Sequence, residues 1–187
     1  MSSSAFAIHL TQLLQDADEL IDTHTLLSGI ASLPQAKLDA VNRSVVVTSV
    51  SAWETYIEEL ACESVLAMQP PAGSPLGTWS VHYASILGHA RRFHTPDPKS
   101  VKTIISDADV RLGWVWAGSN SAQSTQELLN VIELRHRIAH GKNPRPLVAS
   151  KYANSLTEFF RRLAQATDQT VRHHLVNVLA VASPWPP

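Results

Sequence analysis

A single cysteine, Cys62, stands among 187 residues, so neither an internal disulfide framework nor a multi-cysteine zinc or iron–sulfur cage is available. Glycine is scarce at seven residues, and the glycine-rich phosphate loops are missing with it. No GxGxxG follows a strand and no GxSxG elbow occurs. A P-loop fails because His136 stands five residues before Gly141-Lys142, and Asn143 occupies the Ser/Thr position. No window approaches the roughly 18 apolar residues that a membrane span requires. The opening MSSSAFAIHLTQ lacks a basic segment and its apolar stretch is broken by His9 and Gln12. The expectation is therefore a cytoplasmic protein with no membrane contact. What remains, 44% apolar and 17% charged, is the make-up of an ordinary globule of one domain.

Charge is uneven where the total hides it. Residues 1–90 carry two basic and nine acidic side chains, residues 91–187 thirteen and seven, and the net charge is −1. Between Glu133 and Glu158 there is no acid at all, while Arg135, Arg137, Lys142, Arg145 and Lys151 all fall there. An anionic ligand is expected at that uncompensated stretch.

The 11 prolines are clustered and leave three long proline-free windows, 35–69, 99–143 and 147–183, in which helices can run uninterrupted. In the first, Leu38, Val41, Val45, Thr48, Ala52, Tyr56 and Leu60 recur every three or four residues, and the last repeats the pattern from Tyr152 to Val178. Val45-Val46-Val47-Thr48 has strand propensity, but periodicity over more than twenty residues outweighs it. Leu10, Leu13, Leu14, Leu20 and Ile21 predict an N-terminal helix. Leu128, Leu129, Ile132 and Leu134 lead another toward Gly141 and Pro144, a helix stop. The stretch 71–121 is predicted to be an irregular insert holding one or two small helices. The expected architecture is an all-α bundle of four long helices over residues 1–183, with the irregular insert between the second long helix and the helix ending at Gly141, and a Pro-rich tail at 184–187.

The dense constellation is ELRHRIAHGKNPR, residues 133–145. His136 and His140 share a helix face at i, i+4, the spacing of two metal ligands. The zincin pattern, however, needs a Glu beside the first His, where this chain has Arg137; no metal and no cofactor are expected. Arg135 with His140 is a better pair, since an imidazole moves protons near neutrality and a guanidinium holds a phosphate. Those are the tools for cleaving RNA without a metal, with the neighbouring 2′-OH as nucleophile and a 2′,3′-cyclic phosphate and 5′-OH as products. Five steps along a helix is about 500°, leaving the two side chains roughly 140° apart. Either the helix loosens before Gly141, or the site combines side chains from two chains of a homodimer.

The segment Arg135-His136-Arg137-Ile138-Ala139-His140-Gly141 resembles the RNxIAHG form of the Rx4–6H motif of HEPN domains, and LLNVIELR before it resembles their leucine-rich lead-in. SAWETYIEEL (51–60) resembles the second-helix signature of the RiboL-PSP-HEPN branch. RRFHTPDPKSVKTIISDADVRLGWVW (91–116) is similar to that branch's F-x-T-P-x-P segment followed by a Trp. The three matches stand in family order and span about residues 8–180. The resemblance implies an all-α, HEPN-like fold of four to five helices, dimerisation and metal-independent endoribonuclease activity, of the kind found in toxin–antitoxin pairs and antiviral defence effectors, with RNA as substrate and an antitoxin or other protein as a further partner. The motif carries over onto Arg135 and His140, and the helix-two acid onto Glu54. Where the family has Asn or another polar group after the motif Arg, this chain has His136.

The expected site is thus His140 as general acid/base, Arg135 on the scissile phosphate, and His136 and Glu54 orienting them. Arg137, Lys142, Asn143, Arg145 and Lys151 would follow the RNA backbone. Plainer readings stand beside these. His140 suits a helix C-terminus electrostatically, Arg135 can pair with Glu54 or Glu58, and the downstream cations can form a solvated rim. Arg91, Arg92 and His94 read as surface decoration. Trp53, Trp114 and Trp116 read as core or interface aromatics. The alternative function is a non-catalytic HEPN module for dimerisation or for binding RNA or protein.

Overall fold

Thirty-three consecutive residues free of proline, Gln35–Ala67, form the helix about which everything else packs. In this computed structural model, which describes residues 2–70, 72–73, 75–90, 92–106, 110–141, 146–182 and 184–185, that helix is α2. A π-helical stretch, Ala5–Leu10, runs straight into α1, Thr11–Ser28. After α2 come α3 (Gly77–Ala90), α4 (Pro98–Ser106), α5 (Ser121–Ala139) and α6 (Ser150–Asn177). The fold is the expected all-α bundle. Four long helices, α1, α2, α5 and α6, enclose the core, and the insert contributes two shorter ones.

Val45 and Val46 show why the strand-prone run is helical: both are fully buried on α2, which meets α1, α5 and α6 at once. A helix packed from several sides offers β-branched residues the burial that a strand would otherwise supply. The centre of the core is aromatic. Trp53 has ring centroids 5.4 Å from Tyr56, 6.0 Å from Phe160 and 6.4 Å from Trp114, and all four are fully buried. Their polar atoms are matched across elements. Tyr56 Oη donates to Ala164 O at 2.9 Å, Trp114 Nε1 to Thr167 Oγ1 at 2.9 Å, and Trp53 Nε1 to Pro96 O at 3.2 Å. Trp116 is half-buried against Phe159, with centroids 6.1 Å apart. Trp185, in the segment read as tail, is buried in the same cluster.

The N-terminus is held by two carboxylates. Asp168 of α6 accepts from Ser3 N and Ser3 Oγ. Glu63 of α2 accepts from Ser4 N and Ala5 N at 3.1 and 3.0 Å. These acceptors take up backbone donors that a helix start leaves without partners.

The proline-free window 99–143 does not run as one helix. After α4 the chain makes a tight turn at Gly118, whose φ of 88° suits glycine, with Trp116 and Ser119 bridged across it. Then α5 starts on a reciprocal cap: Gln123 N donates to Asn120 Oδ1 at 3.0 Å, and Asn120 N to Gln123 Oε1 at 2.9 Å. Among the described residues, no strand forms and no helix is long and apolar enough to cross a membrane.

Candidate active site

Helix α5 lies against α2 and delivers the motif at its C-terminal end. Leu128, Val131 and Ile132 bury its inner face, which fixes the rotation of the last turn. His140 is the residue at which the helix stops, with φ −86° and ψ 8°. Its N–H still donates to His136 O at 3.0 Å, so it keeps the helical register. Gly141 follows at φ 58°, and its N–H donates to Ile138 O at 3.2 Å, closing the helix with a left-handed residue. The expected stop at Gly141 is thus met.

Of the two ways proposed to join Arg135 with His140, loosening of the helix does not occur: α5 is regular through Ala139. The side chains therefore diverge. Arg135 is half-buried and its Nε is buried with no hydrogen-bond partner. His140 is exposed. His136, half-buried, lies on the same side as His140, their ring centroids 6.1 Å apart. Among the described residues, no three His, Cys, Asp or Glu side chains gather in a way that would hold a metal ion.

Across from Arg135, α2 presents acids. Burial lifts the Glu54 carboxyl above its ordinary range, while the positive charges of Arg135 and then His94 draw it back down. Glu58, one turn on, is also raised, first by burial and then by the negative charges of Glu54 and Glu59, with His94 opposing. Arg135 is thus near enough to Glu54, the acid that the helix-two resemblance singles out, to act on its charge. His94, expected to be surface decoration, lies close enough to act on both carboxylates.

Beside the helix end a cleft of about 580 Å³ opens between α2 and the motif, lined by Arg43, Ser44 and Thr48 on one side and Ile138, Ala139 and Gly141 on the other. Arg43 was missed from sequence. Its signal was present, because only Lys37 and Arg43 are basic in residues 1–90. Past the motif the chain is tied back to α2, where Asn42 Nδ2 donates to Val148 O at 2.9 Å within the core. Arg137 and Lys151 are exposed, the latter on the first turn of α6. Lys142, Asn143 and Arg145 lie outside the described residues.

This arrangement holds one exposed imidazole, one half-buried guanidinium, a half-buried carboxylate near it, and a cleft with Arg43 in its wall. It is suited to binding a phosphodiester and moving a proton. A family model, RiboL-PSP-HEPN, matches residues 11–173. No curated protein and no solved structure matches the chain.

Proposed function

The chain belongs to the RiboL-PSP-HEPN family, and from that premise we propose that it is a metal-independent endoribonuclease acting on single-stranded or loop RNA. Membership of the HEPN superfamily points to RNA-related function; the finer assignment is ours. Arg135 carries it. Its half-buried guanidinium stands within electrostatic reach of Glu54 near the end of α5, where His140 is exposed, and a guanidinium holds a phosphate through paired charge-assisted hydrogen bonds. His140, exposed at the adjacent helix end, serves as general acid/base. It takes the 2′-OH proton as that oxygen attacks phosphorus, or returns one to the departing 5′-oxygen. Glu54 holds the guanidinium in place and His136 orients His140. Arg137, Lys142, Asn143, Arg145 and Lys151, joined by Arg43, follow the strand. Because the two side chains leave α5 on different sides, the working site pairs Arg135 of one protomer with the partner's His140 in a homodimer. A role as toxin or defence effector, restrained by a protein partner, is consistent with such an activity.

The test is incubation of the purified protein with mixed RNA in EDTA. The expected result is fragments ending in a 2′,3′-cyclic phosphate, with a rate lowered about 10²–10⁴-fold in His140→Ala. Cleavage unchanged in that variant overturns the assignment. A second reading, a non-catalytic RNA- or protein-binding module, is favoured by His136 standing where the family has a polar group such as Asn; it expects RNA retention without fragments.

A further inference from the structure

The loop 92–97 and α4 enclose a groove of about 560 Å³ lined by His89, Arg92, His94 and Lys99 together with Asp97 and Thr103. We propose that this groove is a second phosphate-binding station, one that holds the flank of the same RNA strand whose scissile phosphate lies at Arg135 and His140. The proposal rests on the RNA reading above and deepens it.

The loop is built to present cations. Phe93 is buried, and its N–H donates to Ala90 O at 3.0 Å. Pro96 is buried and its carbonyl accepts from Trp53. Between these two anchors His94 is held out in solvent. Since Trp53 immediately precedes Glu54, the bond that pins the loop also sets His94 next to the acids facing Arg135. The guanidinium of Arg92 extends back over Gly88 of α3, where a side-chain carbon on residue 88 would lie 3.6 Å from its Nη2. Arg92, His94 and Lys99 are all exposed.

The acid in the groove wall is held by the start of α4. Asp97 caps α4, accepting from Lys99 N at 2.8 Å, Ser100 N at 2.9 Å and Ser100 Oγ at 3.0 Å. Its charge is engaged by the helix start. The exposed Arg92 and Lys99 thus remain for an anion, and phosphate contacts need only such positive charge, without base recognition. Arg43 lines the cleft beside the end of α5, while Arg92 and Lys99 line the groove whose His94 acts on Glu54, so a strand reaching both meets basic side chains at each.

The experiment uses the full chain carrying His140→Ala, so that binding is read without cleavage, and a fluorescein-labelled 12-nucleotide single-stranded RNA followed by anisotropy across a salt series. Adding Arg92→Ala and Lys99→Ala is expected to weaken binding about tenfold. It should also flatten the logarithmic salt slope by about 1.4, the share of two phosphate contacts at about 0.7 each on a single strand. Arg92→Lys with Lys99→Arg is expected to retain both affinity and slope. Equal affinity and slope in the alanine variant, with Arg135→Ala still weakening binding, overturns the groove and spares the proposed function. Absence of RNA binding in the His140→Ala parent overturns both.

Discussion

Asp168 and Glu63 each hold backbone N–H groups of the N-terminal segment while lying largely out of water, and burial is the larger influence on both. It keeps their carboxyls above the usual range despite the hydrogen bonds they accept from Ser3, Ser4 and Ala5. Glu54 and Glu58 are shifted in the same direction. Unfolding returns all four to ordinary values, so in the interval between the two states the folded protein binds more protons. Stability then falls as pH rises through that interval, and the cost of the buried charges is fully present above it. The urea midpoint is therefore expected to increase as pH is lowered from 7 toward about 5, and a midpoint that drops over that range would contradict it. The same scale shows which site residues were legible. Arg135 and His140 announce themselves as a charged and a titratable side chain around an IAH run closed by glycine. His94 does not, because its meaning depends on Trp53 reaching Pro96 from another helix, a contact between residues 43 positions apart that no local spacing encodes.

Among the elements, α5 is the one on which the proposed function turns, and both of its ends are set by short-range chemistry. Gly141 occupies the left-handed region with nothing within 4 Å of where a Cβ would stand. A Gly141→Ala change therefore meets no clash and costs only backbone strain, about 1–2 kcal/mol. That strain is expected at the turn that holds His140, so thermal unfolding should come earlier, and any RNA cleavage should decline with it. Loss of the opposite cap in Asn120→Ala is expected to cost about 1 kcal/mol while leaving the motif turn intact and cleavage unchanged. The contrast separates the two ends of one helix by activity at similar stability. The stop at Gly141 was readable, since glycine follows the last apolar position and Pro144 comes soon after. The start at Asn120 was not. Its signal, Asn and Gln three apart, lies in a stretch rich in Trp, Gly and Ser whose apolar residues answer to α6, as Trp116 does to Phe159. The strand-like Val45–Thr48 run resolves at this scale too, because burial from several sides is a property of α2's neighbours and not of the four residues.

For the whole molecule the proposed activity requires one guanidinium and one imidazole, diverging by roughly 140° on a regular helix, to act on one phosphate. A twofold dimer solves it by letting α5 of each protomer supply half of two equivalent sites. The consequence is testable by complementation. Arg135→Ala and His140→Ala, each silent alone, are unfolded together and refolded as a mixture. A heterodimer then has one site lacking both groups and one site with both, the latter formed by Arg135 from the His140→Ala chain and His140 from the Arg135→Ala chain. With random pairing half of the dimers are mixed and half of their sites are whole, so about a quarter of the wild-type rate is expected to return. Were both groups needed from the same chain, every site in the mixture would lack one of them and no rate would return. Neither substitution creates a buried cavity, since His140 is exposed and Arg135 lies only part-way in. Recovery in the mixture therefore reports on which chains furnish the site, and not on rescue of a folding defect.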